Sequence, residues 1–82
     1  MALTDPDMDV EEELDALGLL CPLPVLKAAK RMRGLTPGQR LRIKTDDPAA
    51  IVDIPHFCTE QGYTLISSAD EGAFQVHIIE KA

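Results

Sequence analysis

Pro24-Val25-Leu26-Lys27-Ala28-Ala29-Lys30-Arg31-Met32-Arg33-Gly34 leads through Leu35-Thr36-Pro37-Gly38 into Gln39-Arg40-Leu41-Arg42-Ile43-Lys44-Thr45. Across this stretch the hydrophobic period changes from helical to two. Val25, Leu26, Ala29 and Met32 recur at helical spacing, with Lys27, Lys30, Arg31 and Arg33 on the remaining surface, which predicts a helix from Pro24 to about Leu35. Its cations gather toward the end, where they meet the negative pole of the helix dipole. Gly34 and the Thr36-Pro37-Gly38 turn stop it. Beyond the turn, Leu41 and Ile43 point one way and Arg40, Arg42 and Lys44 the other, the pattern of a half-buried strand.

Working outward, Glu12 to Ala16 reads as a first strand with Leu14 and Ala16 on one face, and Gly18 opens a turn. Asp47-Pro48 reads as an N-cap followed by proline at the first helical position. Ile51, Ile54, Phe57 and Cys58 supply the apolar stripe of the second helix, Pro55 is expected to kink or restart it, and Gln61-Gly62 closes it. Tyr63 to Ser67 and Phe74 to Ile79 read as a hairpin around Asp70-Glu71-Gly72, with Phe74, Val76 and Ile78 sharing a face. The order is β-α-β-α-β-β. Right-handed crossovers place both helices on one face of a mixed four-stranded sheet, so the expected class is α/β (α+β), a two-layer sandwich.

A chain of 82 residues makes one domain with a modest core, burying about 60–65% of its unfolded surface. A deep cleft enclosing a substrate or cofactor does not fit that size, and no cofactor is expected. Trp is absent and the aromatics are Phe57, Tyr63 and Phe74 alone, which disfavours direct nucleic-acid binding through base stacking. The net charge of −6 is unevenly spread: Asp5, Asp7, Asp9, Glu11, Glu12, Glu13 and Asp15 precede the first cation, Lys27. Residues 1–11 are expected to form a disordered acidic tail and residues 12–82 the domain. No apolar run is long enough for a membrane span, and the acidic start lacks the order of a secretory signal. Two cysteines are too few for a disulfide framework, so a reduced, cytoplasmic monomer is expected.

Cys21 is the residue that points to chemistry. It is followed by Pro22 and Pro24. A residue before proline is driven toward extended backbone, and proline is tolerated in a helix's first turn, so Cys21 falls at or just before a helix N-terminus. Either Cys21 or Leu23 can be the formal cap. The positive end of the helix dipole favours a thiolate there, and would favour a persulfide anion equally. The prolines stiffen the segment that presents the sulfur. Against this stands the plain alternative of a small packed cysteine. No second cysteine completes a Cys-x-x-Cys, which disfavours a dithiol oxidoreductase.

Other residues carry weaker signals. Cys58, on the apolar stripe, reads as a core thiol, with a secondary sulfur site as the alternative. Lys27, a turn beyond the thiol, either adds positive potential or is a solvated helix lysine. His56 reads as exposed, and His77 as a solvated residue on the polar face of the last strand. Asp46 and Asp47 read as a strand-end and cap pair. The spacing of Cys21, Cys58, His56 and His77 does not suit a metal site.

Leu14-Asp15-Ala16-Leu17-Gly18-Leu19-Leu20-Cys21-Pro22-Leu23-Pro24 resembles the signature of the TusA (SirA-like) family, whose hallmark is Cys-Pro-x-Pro. The resemblance continues through Lys27, Pro37-Gly38, Asp46-Asp47-Pro48-Ala49 and Asp53-Ile54-Pro55-His56-Phe57-Cys58. It implies the same two-layer fold and a sulfur carrier in which Cys21 accepts sulfane sulfur as a persulfide, supported by Pro22 and Pro24. Such a protein is a covalent relay of sulfurtransferase type rather than a free-standing enzyme. The implied partners are a persulfide donor, either a cysteine desulfurase or a rhodanese-like protein, and a downstream acceptor protein. The implied pathways are tRNA thiolation, sulfur oxidation and molybdenum-cofactor maturation. Family members in tRNA thiolation carry Arg before the cysteine and Glu between the prolines, where this chain has Leu20 and Leu23. Those leucines could form an apolar docking patch, with Leu23 packed against the sheet as the alternative. Two other functions fit the same residues: a Cys21/Cys58 redox switch, which needs Cα atoms within about 7 Å, and a non-catalytic adaptor.

Overall fold

The computed structural model describes residues 10–82, and most of the expected acidic tail, residues 1–9, lies outside the described residues. The elements are β1 (Glu12–Ala16), α1 (Leu23–Arg33), β2 (Arg40–Thr45), α2 (Ala50–Gln61), β3 (Thr64–Asp70) and β4 (Gln75–Glu80). The sheet order is β1-β2-β4-β3. β1 and β2 are parallel, with Leu14 opposite Ile43 and Ala16 opposite Thr45. β4 runs antiparallel to β2 on one side and to β3 on the other, with a bulge between Leu65 and Ser67. This is the expected two-layer α+β sandwich. Glu11, placed by its composition in the tail, is tied to the sheet: its N–H donates to the Arg40 carbonyl at 3.1 Å, and its carboxylate accepts from the Arg40 N–H at 2.7 Å.

The core lies between sheet and helices: Leu14, Ala16, Leu41, Ile43 and Ile79 from strands, with Ala28, Met32, Ile54, Phe57 and Cys58 from helices. On α1 the buried line is Pro24, Ala28 and Met32, each four residues on, flanked by Val25 and Ala29. Leu26, expected on the apolar face, is 57% exposed. At about 100° per residue it sits on the side of the helix opposite Pro24 and Ala28. On α2 the buried residues are Ala50, Ile54, Phe57 and Cys58, whereas Ile51 is half exposed beside the small side chains of Ser68 and Ala69. Pro55 neither breaks nor restarts α2, which runs continuously through it.

His77 overturns the solvated reading. It is 1% exposed. Paired positions in an antiparallel ladder share a face, so Ile79, His77 and Gln75 lie with Leu41, Ile43 and Thr45 on the helix side. Val76 and Ile78 occupy the opposite face beside Lys44 and Arg42, and they too are buried. β4 is a central strand, and its inner face is enclosed whatever residue it carries. The imidazole is satisfied there by Ser68 Oγ at 2.8 Å from Nδ1 and by Thr45 Oγ1 at 3.4 Å from Nε2.

Two further contacts fix the helices. Lys81 Nζ donates to the Met32 carbonyl at 2.8 Å, supplying a cation to the last turn of α1. Gly62 ends α2 with φ 76°, a left-handed conformation that glycine adopts without steric cost, and its N–H returns to the Cys58 carbonyl. Among the described residues, no helix is long and apolar enough to cross a membrane.

Candidate functional site

Parallel pairing decides where the site lies. Because Ala16 sits beside Thr45, the segments leaving β1 and β2 start as neighbours at the same end of the sheet. The first carries Gly18 to Pro22 and the second Asp46 to Ala49, and the two acids after β2 hold the loop after β1. Asp46 Oδ1 accepts the Gly18 N–H at 2.9 Å, and Asp47 Oδ2 accepts the Cys21 N–H at 2.6 Å. The other oxygen of Asp47 takes the Ala49 N–H at 3.1 Å, and the Asp47 carbonyl takes the Ala50 N–H at 2.9 Å. One carboxylate therefore shapes the turn that leads into α2 and fixes the backbone of Cys21. The cap position of α2 is Ala49, without a side-chain cap bond, so Asp47, expected as the N-cap, stands two residues ahead of it and acts on the preceding turn.

The loop has its own local bonds. Gly18 has φ 79°, the Leu19 N–H returns to the Ala16 carbonyl at 3.3 Å, and Asp15 accepts the Leu17 N–H at 3.0 Å. The Leu23 N–H closes a tight turn onto the Leu20 carbonyl at 2.9 Å, with Cys21 and Pro22 at its centre and a cis Cys21–Pro22 peptide. Pro22 occupies the cap position of α1, so Cys21 lies one residue before it. The Pro22 carbonyl accepts the Leu26 N–H at 3.1 Å, and α1 starts with no side-chain cap. Cys21 is a free, exposed thiol.

Its electrostatics differ from what the helix start alone implied. Asp53 raises the pKa of the Cys21 thiol above the ordinary cysteine value, first by favouring its protonated form through hydrogen bonding. Local desolvation and the negative charges of Asp53 and Asp47 push the same way. A carboxylate that accepts the thiol proton stabilises the neutral form and repels the thiolate. The sequence points only to positive influences on the thiol, the helix dipole and Lys27, since Asp53 is remote in sequence and arrives through the fold of α2 over the sheet. The resting form favoured here is a presented thiol with a proton acceptor in the same groove.

Cys21, Pro22, Val25, Asp53, His56, Phe57 and Glu60 line a shallow groove of about 210 Å³ between the start of α1 and α2. His56 is exposed and lies 3.4 Å from Glu60, its neighbour one turn on. Around this end of the molecule Leu17, Leu20, Leu23, Leu26, Ile51 and Val52 are exposed apolar residues, with Leu20 at 69% and Val52 at 70%. Leu20 and Leu23, the departures from the tRNA-thiolation pattern, are thus solvent-facing rather than packed on the sheet.

The remaining candidates separate from Cys21. Lys27 is on the far side of α1, in a groove with Glu12, Leu14, Lys30, Arg31 and Gly34. Cys58 is 3% exposed within the core, and burial pushes its thiol up to about 11. Both cysteines are free. Asp53, which the sequence offers only as the first residue of the Asp53–Cys58 family motif and without a role of its own, is the functional candidate that the fold adds.

Two comparisons bear on this arrangement. A SirA-like protein of known crystal structure from Desulfitobacterium hafniense superimposes with a TM-score of 0.75 at 22% identity, covering 84% of this chain and 95% of that one. The fold is therefore shared. The family model described as sulfurtransferase TusA matches residues 12–81, the whole unit from the first residue of β1 to the residue after β4. The chain belongs to the TusA sulfurtransferase family, a family of sulfur carriers that act with other sulfur-relay proteins.

Proposed function

We propose that this protein carries sulfane sulfur as a persulfide on Cys21, taking it from a persulfide donor protein and passing it to an acceptor protein. The observation that carries the reading is a single exposed thiol held at a helix entrance, with Asp47 fixing its backbone and Asp53 lining the same groove. In loading, the Cys21 sulfur attacks the terminal sulfur of the donor persulfide. The new S–S bond forms as the donor's S–S bond breaks, and the donor leaves as a thiol. The Cys21 proton passes by way of Asp53 to the departing thiolate, so the exchange is redox-neutral. Unloading repeats the step with the acceptor thiol as nucleophile. The shallow open groove suits a sulfur exchanged between two protein surfaces rather than an enclosed small substrate.

The donor is a cysteine desulfurase or a rhodanese-like protein, the setting is cytoplasmic, and the acceptor belongs to a relay for tRNA thiolation, sulfur oxidation or molybdenum-cofactor maturation. Leu20, Leu23 and Val52 form the apolar rim on which partners close. Exposure of Cys21 and enclosure of Cys58 favour the carrier over an internal disulfide switch. The test is intact-protein mass spectrometry after mixing the reduced protein with a desulfurase and cysteine, or with a rhodanese and thiosulfate. A gain of one sulfur atom, reversed by dithiothreitol and absent in Cys21→Ser, is expected. No gain from either donor class, with Cys21 still alkylated by iodoacetamide, would turn the reading toward an adaptor.

A further inference from the structure

The groove that holds the Cys21 thiol carries charge of one sign. Asp53, His56, Phe57 and Glu60 line it from α2, and Cys21, Pro22 and Val25 from the entrance to α1. The four α2 positions form one stripe, because residues three and four apart on a helix are neighbours. No Lys or Arg lines the groove. Among the described residues, neither Asp53 nor Glu60 forms an ion pair with a Lys or Arg, and Glu60 meets only His56, a charge partner when protonated. Lys27, Lys30 and Arg31 line a different groove, beside β1.

A third carboxylate stands behind the sulfur, since Asp47 accepts the Cys21 N–H. That bond uses a lone pair of Asp47 and leaves its charge. A small anion approaching Cys21 therefore meets repulsion with nothing to offset it. An arginine or lysine side chain meets the opposite: Pro22 and Val25 can pack its apolar stem, and Asp53 and Glu60 its cationic head. Leu20, Leu23 and Val52 are exposed around the site, and a partner that covers them excludes water and strengthens the attraction inside. The head also has a chemical consequence. Asp53 holds the thiol pKa up, and a cation paired with that carboxylate counters it, so the thiolate is favoured once the partner is in place.

We infer that the Cys21 groove selects by charge: it takes an arginine or lysine side chain of the protein that exchanges sulfur with Cys21, and it disfavours small anionic sulfur compounds. The inference rests on the carrier reading for the kind of partner, and on Asp53 and Glu60 for the charge that partner brings.

Charge selection can be read without any sulfur relay. Two methanethiosulfonate reagents of similar length, one ending in trimethylammonium and one in sulfonate, are reacted with the reduced full chain. In each case the Cys21 thiolate attacks the thiosulfonate sulfur, a mixed disulfide forms and methanesulfinate leaves. Peptide mass spectrometry keeps Cys58 out of the count. Both reagents meet the same thiolate, so a change in its pKa cancels in the ratio of rates. Relative to the same ratio on 2-mercaptoethanol, the cationic reagent is expected to be favoured about threefold to tenfold at low salt, falling toward parity near about 500 mM salt. Asp53→Asn and Glu60→Gln should each lower the ratio. A ratio at or below parity, or one that neither variant lowers, overturns the inference. The partner's side is read with the protein donor that loads the wild type. Glu60→Gln should slow that loading about threefold or more at low salt and speed loading from glutathione persulfide, a small anion. Both rates moving the same way overturns the inference, since loss of fold would move them together. Failure of the carrier reading shows differently, as no loading of the wild type from any donor, and the reagent ratio still decides charge selection.

Discussion

At the residue scale the site turns on a proton. Asp53 raises the Cys21 pKa by favouring the protonated thiol through hydrogen bonding and by its charge. Asp53→Asn removes the negative charge, so the thiolate forms at lower pH. The pH midpoint of iodoacetamide alkylation at Cys21, read by peptide mass spectrometry so that Cys58 is not counted, should move down in the variant. An unmoved or raised midpoint would deny Asp53 this role. The same variant should load sulfur more slowly from a donor if Asp53 also relays the proton. His77 gives the second prediction at this scale. Burial lowers its pKa below the ordinary 6.5. The unfolded chain then binds the proton more readily than the fold, so stability rises with pH. It is complete above pH 6.5 and is lost as the pH falls from there toward the folded value. Melting temperatures of the wild type should therefore drop more steeply below that pH than those of His77→Gln. Parallel profiles would count against it.

At the scale of elements, the decisive contact is one carboxylate shared by a loop and the turn that leads into a helix. Asp47 receives N–H groups from Cys21 and Ala49, so Asp47→Ala removes a turn contact ahead of α2 and a loop tether together. Loss of hydrogen bonds to a charged acceptor costs about 1.5–3 kcal/mol, measurable as a lowered urea midpoint. The variant should also load sulfur more slowly, since Cys21 loses its fixed backbone. Asp47→Asn keeps an acceptor oxygen and should recover most of the stability, and failure to do so would make charge rather than geometry the operative feature. The helices themselves follow from ordinary signals. Prolines begin α1, Gly62 ends α2 in a left-handed turn, and Lys81 covers the Met32 carbonyl in the last turn of α1.

At the scale of the whole molecule, stability and recognition occupy different surfaces. Ile54 is fully buried between α2 and the sheet, and Ile54→Ala should cost about 2–5 kcal/mol, a large part of the total for a domain whose folding free energy is of order 5–10 kcal/mol. Val52, two residues away and 70% exposed, should behave in the opposite way. Val52→Ser is expected to alter stability by less than about 0.5 kcal/mol while lowering the rate of sulfur loading from a donor protein. A loading rate equal to wild type would remove Val52 from the docking rim.

The sequence by itself determined the elements and their order, because each was written in a local signal: the period-two run of Leu41 and Ile43, the helical spacing before Gly34, the prolines after Cys21. It also singled out Cys21 and the family motif around it. What it could not decide were properties set by neighbours distant in the chain. Alternation along the last strand left His77 on a polar face, but a central strand has no open inner face, and pairing with β2 turned that residue inward. Leu26 counted as apolar, yet α1 touches the sheet along too narrow a line to cover it. The charge state favoured at Cys21 likewise depends on Asp47 and Asp53, which local pattern read as a cap and a helix residue. Parallel pairing of β1 with β2 and the fold of α2 over the sheet bring those carboxylates to the sulfur, because electrostatics acts through space and not along the chain.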